Sequence, residues 1–132
     1  MTTTGFTLAY GCVLAAALLP MVCAMLAKGG SFRGRDNHDP RAWLAAQTGW
    51  RARANAAQAN SFEALPFFIG AVIIAHQLGA AQATVNLLAC AFIVLRLAYI
   101  ALYLADKPLL RSAVWALGLL ANIAIMVIGG WR

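Results

Sequence analysis

Four long apolar stretches, at residues 6–27, 54–78, 83–105 and 109–131, occupy most of the 132-residue sequence. Each has roughly the 20 residues that an α-helix needs to cross the hydrocarbon core of a bilayer at about 1.5 Å per residue. A segment of this kind is helical inside a bilayer, because a helix satisfies all of its own backbone hydrogen bonds. The sequence therefore predicts an all-α membrane protein. We expect a single domain over residues 1–132, folded as a four-transmembrane-helix up-down bundle with short links.

The composition excludes most other classes of protein. Hydrophobic residues make up 63% of the chain and charged residues only 11%, with a mean hydropathy of +0.77. A small soluble domain has a large surface that needs polar groups, and about 45–50% apolar residues is typical of one. The three cysteines, Cys12, Cys23 and Cys90, lie in apolar stretches without CxxC spacing. We interpret them as small buried side chains, and we predict neither a metal site nor a disulfide.

The net charge of +6 comes largely from one link. The link between the first two stretches contains six of the ten Lys and Arg residues: Lys28, Arg33, Arg35, Arg41, Arg51 and Arg53. A cationic link beside apolar spans indicates the cytoplasmic side, whereas the link around residues 79–82 has no charge. We therefore expect both termini outside, contact with membrane lipids, and no nucleic-acid partner.

Polar side chains inside a membrane span are costly, so each needs a partner or a function. The second stretch places Arg53, Asn60 and Glu63 on one helix face, because they are seven and three positions apart, and it places Gln58 beside that face. The fourth stretch begins with Arg111 and Ser112.

A second polar face lies on the third stretch, where Arg96, Tyr99 and Tyr103 are three and four positions apart. Glu63 and Arg96 lie about equally far from the predicted cytoplasmic ends of their helices, which predicts a structural ion pair between them. With Asn60, the two tyrosines would line a polar notch that opens to the cytoplasmic side. Such a network either holds the helices together or binds a small zwitterionic or anionic ligand, and the residues alone leave both open.

Two sequence runs resemble the MAPEG family, the membrane-associated proteins in eicosanoid and glutathione metabolism. The first begins at Arg53 and reads RANAAQANSFEALPFF, which is similar to the family's signature in its second helix. The second begins at Arg96 and reads RLAYIALY, and with Arg111-Ser112 it resembles the motifs of the third and fourth helices. The likeness extends from about residue 37 to the end, and the chain resembles a bacterial-type member of an inner membrane.

The resemblance implies a homotrimer that binds glutathione, as co-substrate, between neighbouring subunits near the cytoplasmic face. It implies that Arg111 faces the thiol, or that Ser112 instead donates a hydrogen bond to the sulfur, so these two are the catalytic candidates. The implied glutathione-binding residues are Arg53, Gln58, Asn60, Glu63, Tyr99 and Tyr103.

The implied activity is that of a glutathione-dependent transferase or peroxidase acting on lipophilic electrophiles or lipid hydroperoxides. The alternative is a non-catalytic lipid-binding or scaffold member of the same fold. Ala56 stands where enzymatic members usually carry an arginine, four residues before Asn60, which keeps this alternative open. A transporter is a third possibility, but the sequence lacks a pair of Gly/Pro-broken helices.

Overall fold

The computed structural model of the chain describes residues 5–130. In this range the chain forms α1 (Leu8–Lys28), a 3₁₀-helix (Gly34–His38), α2 (Pro40–Ala45), α3 (Gly49–Gln77), α4 (Gln82–Leu104) and α5 (Pro108–Ile128). All of these α-helices except α2 are long and apolar enough to cross a membrane. The prediction of an all-α protein with four membrane-spanning helices is therefore confirmed, although the expected last residue of the fourth span, Trp131, lies outside the described residues.

The two ends of the bundle differ in charge. The links at residues 29–48 and 105–107 lie at one end, which we call the basic end, and the link at residues 78–81 lies at the opposite end. Consecutive spanning helices run in alternating directions between these ends. Arg51 at the start of α3 contacts Ala27 at the end of α1, and Arg53 contacts Leu104 at the end of α4. The chain is thus an integral, multi-pass membrane protein.

The first turn of α3 begins at Gly49, five residues before the predicted start of this span. The apolar pattern missed this turn because it is polar. Arg51 donates from Nη1 to the carbonyl oxygen of Ala27 at 2.8 Å, and Arg53 donates from Nε and Nη2 to that of Leu104 at 3.3 and 3.2 Å. Carbonyls in the last turn of a helix have no partner within the helix. These two arginines therefore cap α1 and α4 at the basic end.

Small residues let the spanning helices approach one another. Ala9 on α1, Ala71 and Ala75 on α3, and Ala89 on α4 are completely buried in the largest apolar cluster. Close approach through small side chains is typical of membrane helices, where the hydrophobic effect does not drive association. Many large apolar side chains point outward, such as Leu109 at 86% exposure, which fits contact with lipid.

Candidate functional site

A cavity of about 210 Å³ lies between α3, α4 and α5, and we call it the main cavity because it contains most of the polar residues described below. Its polar wall is formed by Asn60, Glu63, Arg96 and Tyr99. Apolar residues, among them Phe67, Phe92 and Leu119, form much of the rest, and Asn122 lines it as well. The fold therefore brings four of the residues singled out from the sequence to one cavity.

Arg96 is the centre of the polar wall. It is only 4% exposed, and its guanidinium donates from Nη1 to Asn60 Oδ1 at 2.9 Å and from Nη2 to Ser61 Oγ at 3.1 Å. The same guanidinium lies 4.3 Å from the ring centroid of Tyr99, a cation–π contact. Arg96 is thus held rigidly by α3 and by its own helix.

The predicted ion pair between Glu63 and Arg96 is not formed within the described residues of one chain, since their charged atoms lie beyond the 4.0 Å limit of an ion pair. The reason is the axial register. Arg53 of α3 lies beside Leu104 of α4. Arg96 precedes Leu104 by 104 − 96 = 8 residues, about 12 Å, and the same distance along α3 leads from Arg53 to residue 61. The residues opposite Arg96 are therefore Asn60 and Ser61, and Glu63 lies deeper.

A second cavity of about 180 Å³ adjoins the first toward the basic end, and we call it the entrance cavity. It shares Asn60, Tyr99 and Trp115 with the main cavity and adds Arg111 and Ser112. The two candidates for catalysis are thus brought to the same region as the polar wall.

Tyr103 positions the side chain of Arg111. The guanidinium carbon of Arg111 lies 4.1 Å from the Tyr103 ring centroid, and Tyr103 packs edge-on against Tyr99 with centroids 5.7 Å apart. A continuous series of contacts therefore joins Arg96 to Arg111 through the two tyrosines. This series fixes two cations on the two connected cavities.

Arg53 and Gln58 are not brought to these cavities. Arg53 is used to cap α4, as described above. Gln58 lines a separate cavity of about 340 Å³ together with Arg41, Asn55 and Phe62. Its Oε1 atom is buried and accepts no hydrogen bond from the described residues. Gln58 therefore faces away from Asn60 within one chain.

Three residues of the site were missed by sequence reasoning: Ser61, Trp115 and Asn122. Ser61 adjoins Asn60, and Trp115 follows Arg111 by one helical turn. The only sequence signal for these two residues was therefore their proximity to a residue already assigned to the site. Asn122 is a polar residue deep in the fourth span, which was itself a signal. Among the described residues, no group of three or more His, Cys, Asp or Glu is placed to hold a metal ion.

Fold and site together define a class: an integral membrane protein of four spanning helices with a cation-lined polar site among α3, α4 and α5. Within that class, the model of the MAPEG family matches residues 8–131, nearly the whole chain, and the protein belongs to the MAPEG family. Separate comparisons with curated proteins and with solved structures gave no match. Membership relates the protein in general to the membrane proteins of glutathione and eicosanoid metabolism.

Proposed function

We propose that this protein is a glutathione-dependent membrane transferase or peroxidase acting on lipophilic electrophiles or lipid hydroperoxides. The observation that carries the proposal is the pair of fixed guanidinium groups, Arg96 and Arg111, on two adjoining cavities. The main cavity also contains the carboxylate of Glu63, which has no ion-pair partner within residues 5–130. Glutathione has two carboxylates, one ammonium group and one thiol. Its charges are complementary to those of the cavities.

The polar wall offers a partner for each kind of group in the peptide. Glu63 has no ion-pair partner among the described residues, so its carboxylate accepts hydrogen bonds from the ligand's ammonium group. Asn60 uses Oδ1 for Arg96 and keeps its NH₂ group for a ligand carbonyl or carboxylate. The rings of Tyr99 and Tyr103 lie between Arg96 and Arg111.

Arg111 would act on the sulfur. A cation beside a thiol lowers the pKa of that thiol and makes the thiolate available at neutral pH, and Ser112 donates a further hydrogen bond to it. In conjugation the thiolate forms a carbon–sulfur bond, and the electron pair moves to the leaving group or to an atom that is then protonated. In peroxide reduction two thiols give one disulfide, and the hydroperoxide becomes an alcohol and water.

We propose further that the protein is a homotrimer in which a neighbouring subunit completes the site. The main and entrance cavities are each smaller than the roughly 300–1,000 Å³ of typical ligand pockets, and together they lie near the lower end of that range, so a tripeptide and a lipophilic substrate together need a further wall. Gln58 supports this arrangement, because its buried oxygen accepts no hydrogen bond from the described part of the chain, and a ligand held by the next subunit would supply the donor. Arg53 keeps Nη1 for a ligand carboxylate, since it caps Leu104 with Nε and Nη2.

A non-catalytic lipid-binding protein is the second candidate. Ala56 favours it, because the arginine that enzymatic members usually carry at this position is missing. The aromatic and aliphatic part of the main cavity also suits a lipid chain.

Titration of the detergent-solubilised protein with glutathione distinguishes the two candidates. For the enzyme we expect calorimetric binding with a dissociation constant near millimolar or tighter, together with glutathione-dependent turnover of chlorodinitrobenzene or cumene hydroperoxide. S-methylglutathione is the control, because it retains the charges but has no thiol, and it should bind without turnover. Absence of binding at tens of millimolar would favour the lipid-binding protein.

We also propose that the basic end faces the cytoplasm, because the positive-inside rule places Lys- and Arg-rich links there. Single cysteines are introduced at Arg35, Gln82 and Lys107 in a chain whose own cysteines are replaced by alanine. In intact cells an impermeant maleimide should label position 82 and not positions 35 and 107. Labelling of positions 35 and 107 without position 82 would show the opposite orientation, in which the site faces away from cytosolic glutathione.

A further inference from the structure

Asn122 is a buried amide that the network around Arg96 does not use. It lies on α5, is only 3% exposed, and lines the main cavity. Its Oδ1 atom is buried and accepts no hydrogen bond from residues 5–130. A buried polar atom without a partner is destabilising, so its presence in a membrane span calls for a group that pairs with it.

Asn86 provides the contrast within the same bundle. Its Oδ1 atom accepts hydrogen bonds from the backbone N–H of Ala9 at 3.0 Å and from Gln82 Nε2 at 2.8 Å. That amide therefore holds α1 against α4, as polar residues in membrane helices commonly do. Asn122 has no such role among the described residues.

The surroundings of Asn122 are apolar and leave room for a ligand. Phe67, Phe92 and Leu119 line the same cavity, and a Cβ atom added at Gly118 would lie 3.6 Å from the Phe92 ring. An engineered apolar cavity of about 150 Å³ is known to bind benzene, so about 210 Å³ accommodates a substituted aromatic ring. The cavity thus combines an apolar wall with a hydrogen-bond acceptor far from Arg111.

We propose that Asn122 is a specificity residue for a lipophilic ligand that carries a hydroxyl group, with Oδ1 accepting a hydrogen bond from that hydroxyl. This inference rests on the proposed function, because it takes the ligand to be the lipophilic substrate of the proposed enzyme. Asn122 follows Arg111 by 122 − 111 = 11 residues, an axial distance of about 16 Å. The hydroxyl is therefore a recognition group, and the reacting atom of the substrate lies toward Arg111.

The test uses two ligands that differ by the hydroxyl, phenethyl alcohol and ethylbenzene, without glutathione. Equilibrium dialysis of the solubilised full chain against protein-free micelles of the same detergent removes the contribution of partitioning. We expect the preference for the alcohol over the hydrocarbon to fall about three- to tenfold in Asn122→Leu and in Asn122→Ala, the size of one hydrogen bond. Leucine fills the space of asparagine, whereas alanine enlarges the cavity. A loss of the preference for the alcohol in both variants is therefore due to the missing amide and not to a change in cavity volume.

Thermal stability provides the second readout. Asn122→Leu removes a polar atom that has no partner among the described residues, so the melting temperature should stay unchanged or rise. Asn86→Leu is the control: it should lower the melting temperature and leave the preference for the alcohol intact.

Three outcomes would overturn the proposal. An unaltered preference in both Asn122 variants would do so, because the hydroxyl would then bind elsewhere. A marked loss of stability in Asn122→Leu would also overturn it, by showing that the amide is paired in the assembled protein. Failure of the wild type to bind either ligand would overturn it too, while glutathione titration tests the proposed function independently.

Discussion

Replacing Arg111 by glutamine is expected to lower glutathione-dependent turnover by about ten- to a hundredfold while leaving glutathione affinity near that of the wild type. The guanidinium faces the entrance cavity and is held over the ring of Tyr103. It would interact with a charge that the sulfur carries only as the thiolate, so its effect is on reactivity more than on binding. A hydrogen bond to a charged group contributes about 1.5–3 kcal/mol, which corresponds to the stated range of rates.

Thiolate absorbance of bound glutathione in the ultraviolet measures this effect directly. Arg111→Gln should lose the signal, and Arg111→Lys should retain part of it, since lysine keeps the charge without the planar contact to Tyr103. Lys107→Gln is the matched control, because it removes an exposed cation from the preceding turn that lines neither cavity. Lys107→Gln should keep the thiolate. Normal absorbance in Arg111→Gln would refute a role on the sulfur.

Replacing Glu63 by glutamine is expected to weaken glutathione binding by about tenfold or more with little change in thermal stability. The carboxylate lines the main cavity and forms no ion pair with Arg96 in the described chain. Loss of one partner of a buried ion pair is destabilising because the other charge remains buried without a partner. Removing the charge of Glu63 creates no such unpaired cation. The ligand's ammonium group would lose a charge-assisted hydrogen bond. Calorimetric titration and a melting curve in the same detergent measure the two effects.

Asp106→Asn is the control for Glu63→Gln. Asp106 is an exposed acid in the link between α4 and α5, and its backbone has a φ of 58°, a conformation that asparagine tolerates well. This variant removes the same charge outside both cavities, so glutathione affinity should remain normal. If Glu63→Gln instead melts at a markedly lower temperature and binds glutathione normally, Glu63 pairs with a cation of a neighbouring subunit and does not contact the ligand.

The sequence predicted the features of this protein that depend on local periodicity. Membrane thickness and helical rise determine how many residues a span needs, so the number of spanning helices followed from the apolar stretches. The short helix α2 begins at Pro40, where the side chain of Asp39 accepts a hydrogen bond from the N–H of Ala42, and Asp followed by Pro is a local signal for the start of a helix. The separation of Asn60 and Glu63 from Gln58 also followed from spacing, because residues three or four positions apart share one helix face.

The tertiary structure decided the axial register between helices, that is, which residues of one helix lie beside which residues of the next. Counting from the apolar ends placed Glu63 opposite Arg96, but α3 begins earlier, and the contact of Arg53 with Leu104 fixes a register that brings Asn60 and Ser61 to Arg96 instead. Arg53 was a site candidate by sequence, and the same register places its guanidinium at the carbonyl oxygen of Leu104, where it caps α4. Side-chain spacing along one helix is a local property of the chain, whereas the axial offset between two helices depends on the capping and packing contacts of the folded bundle.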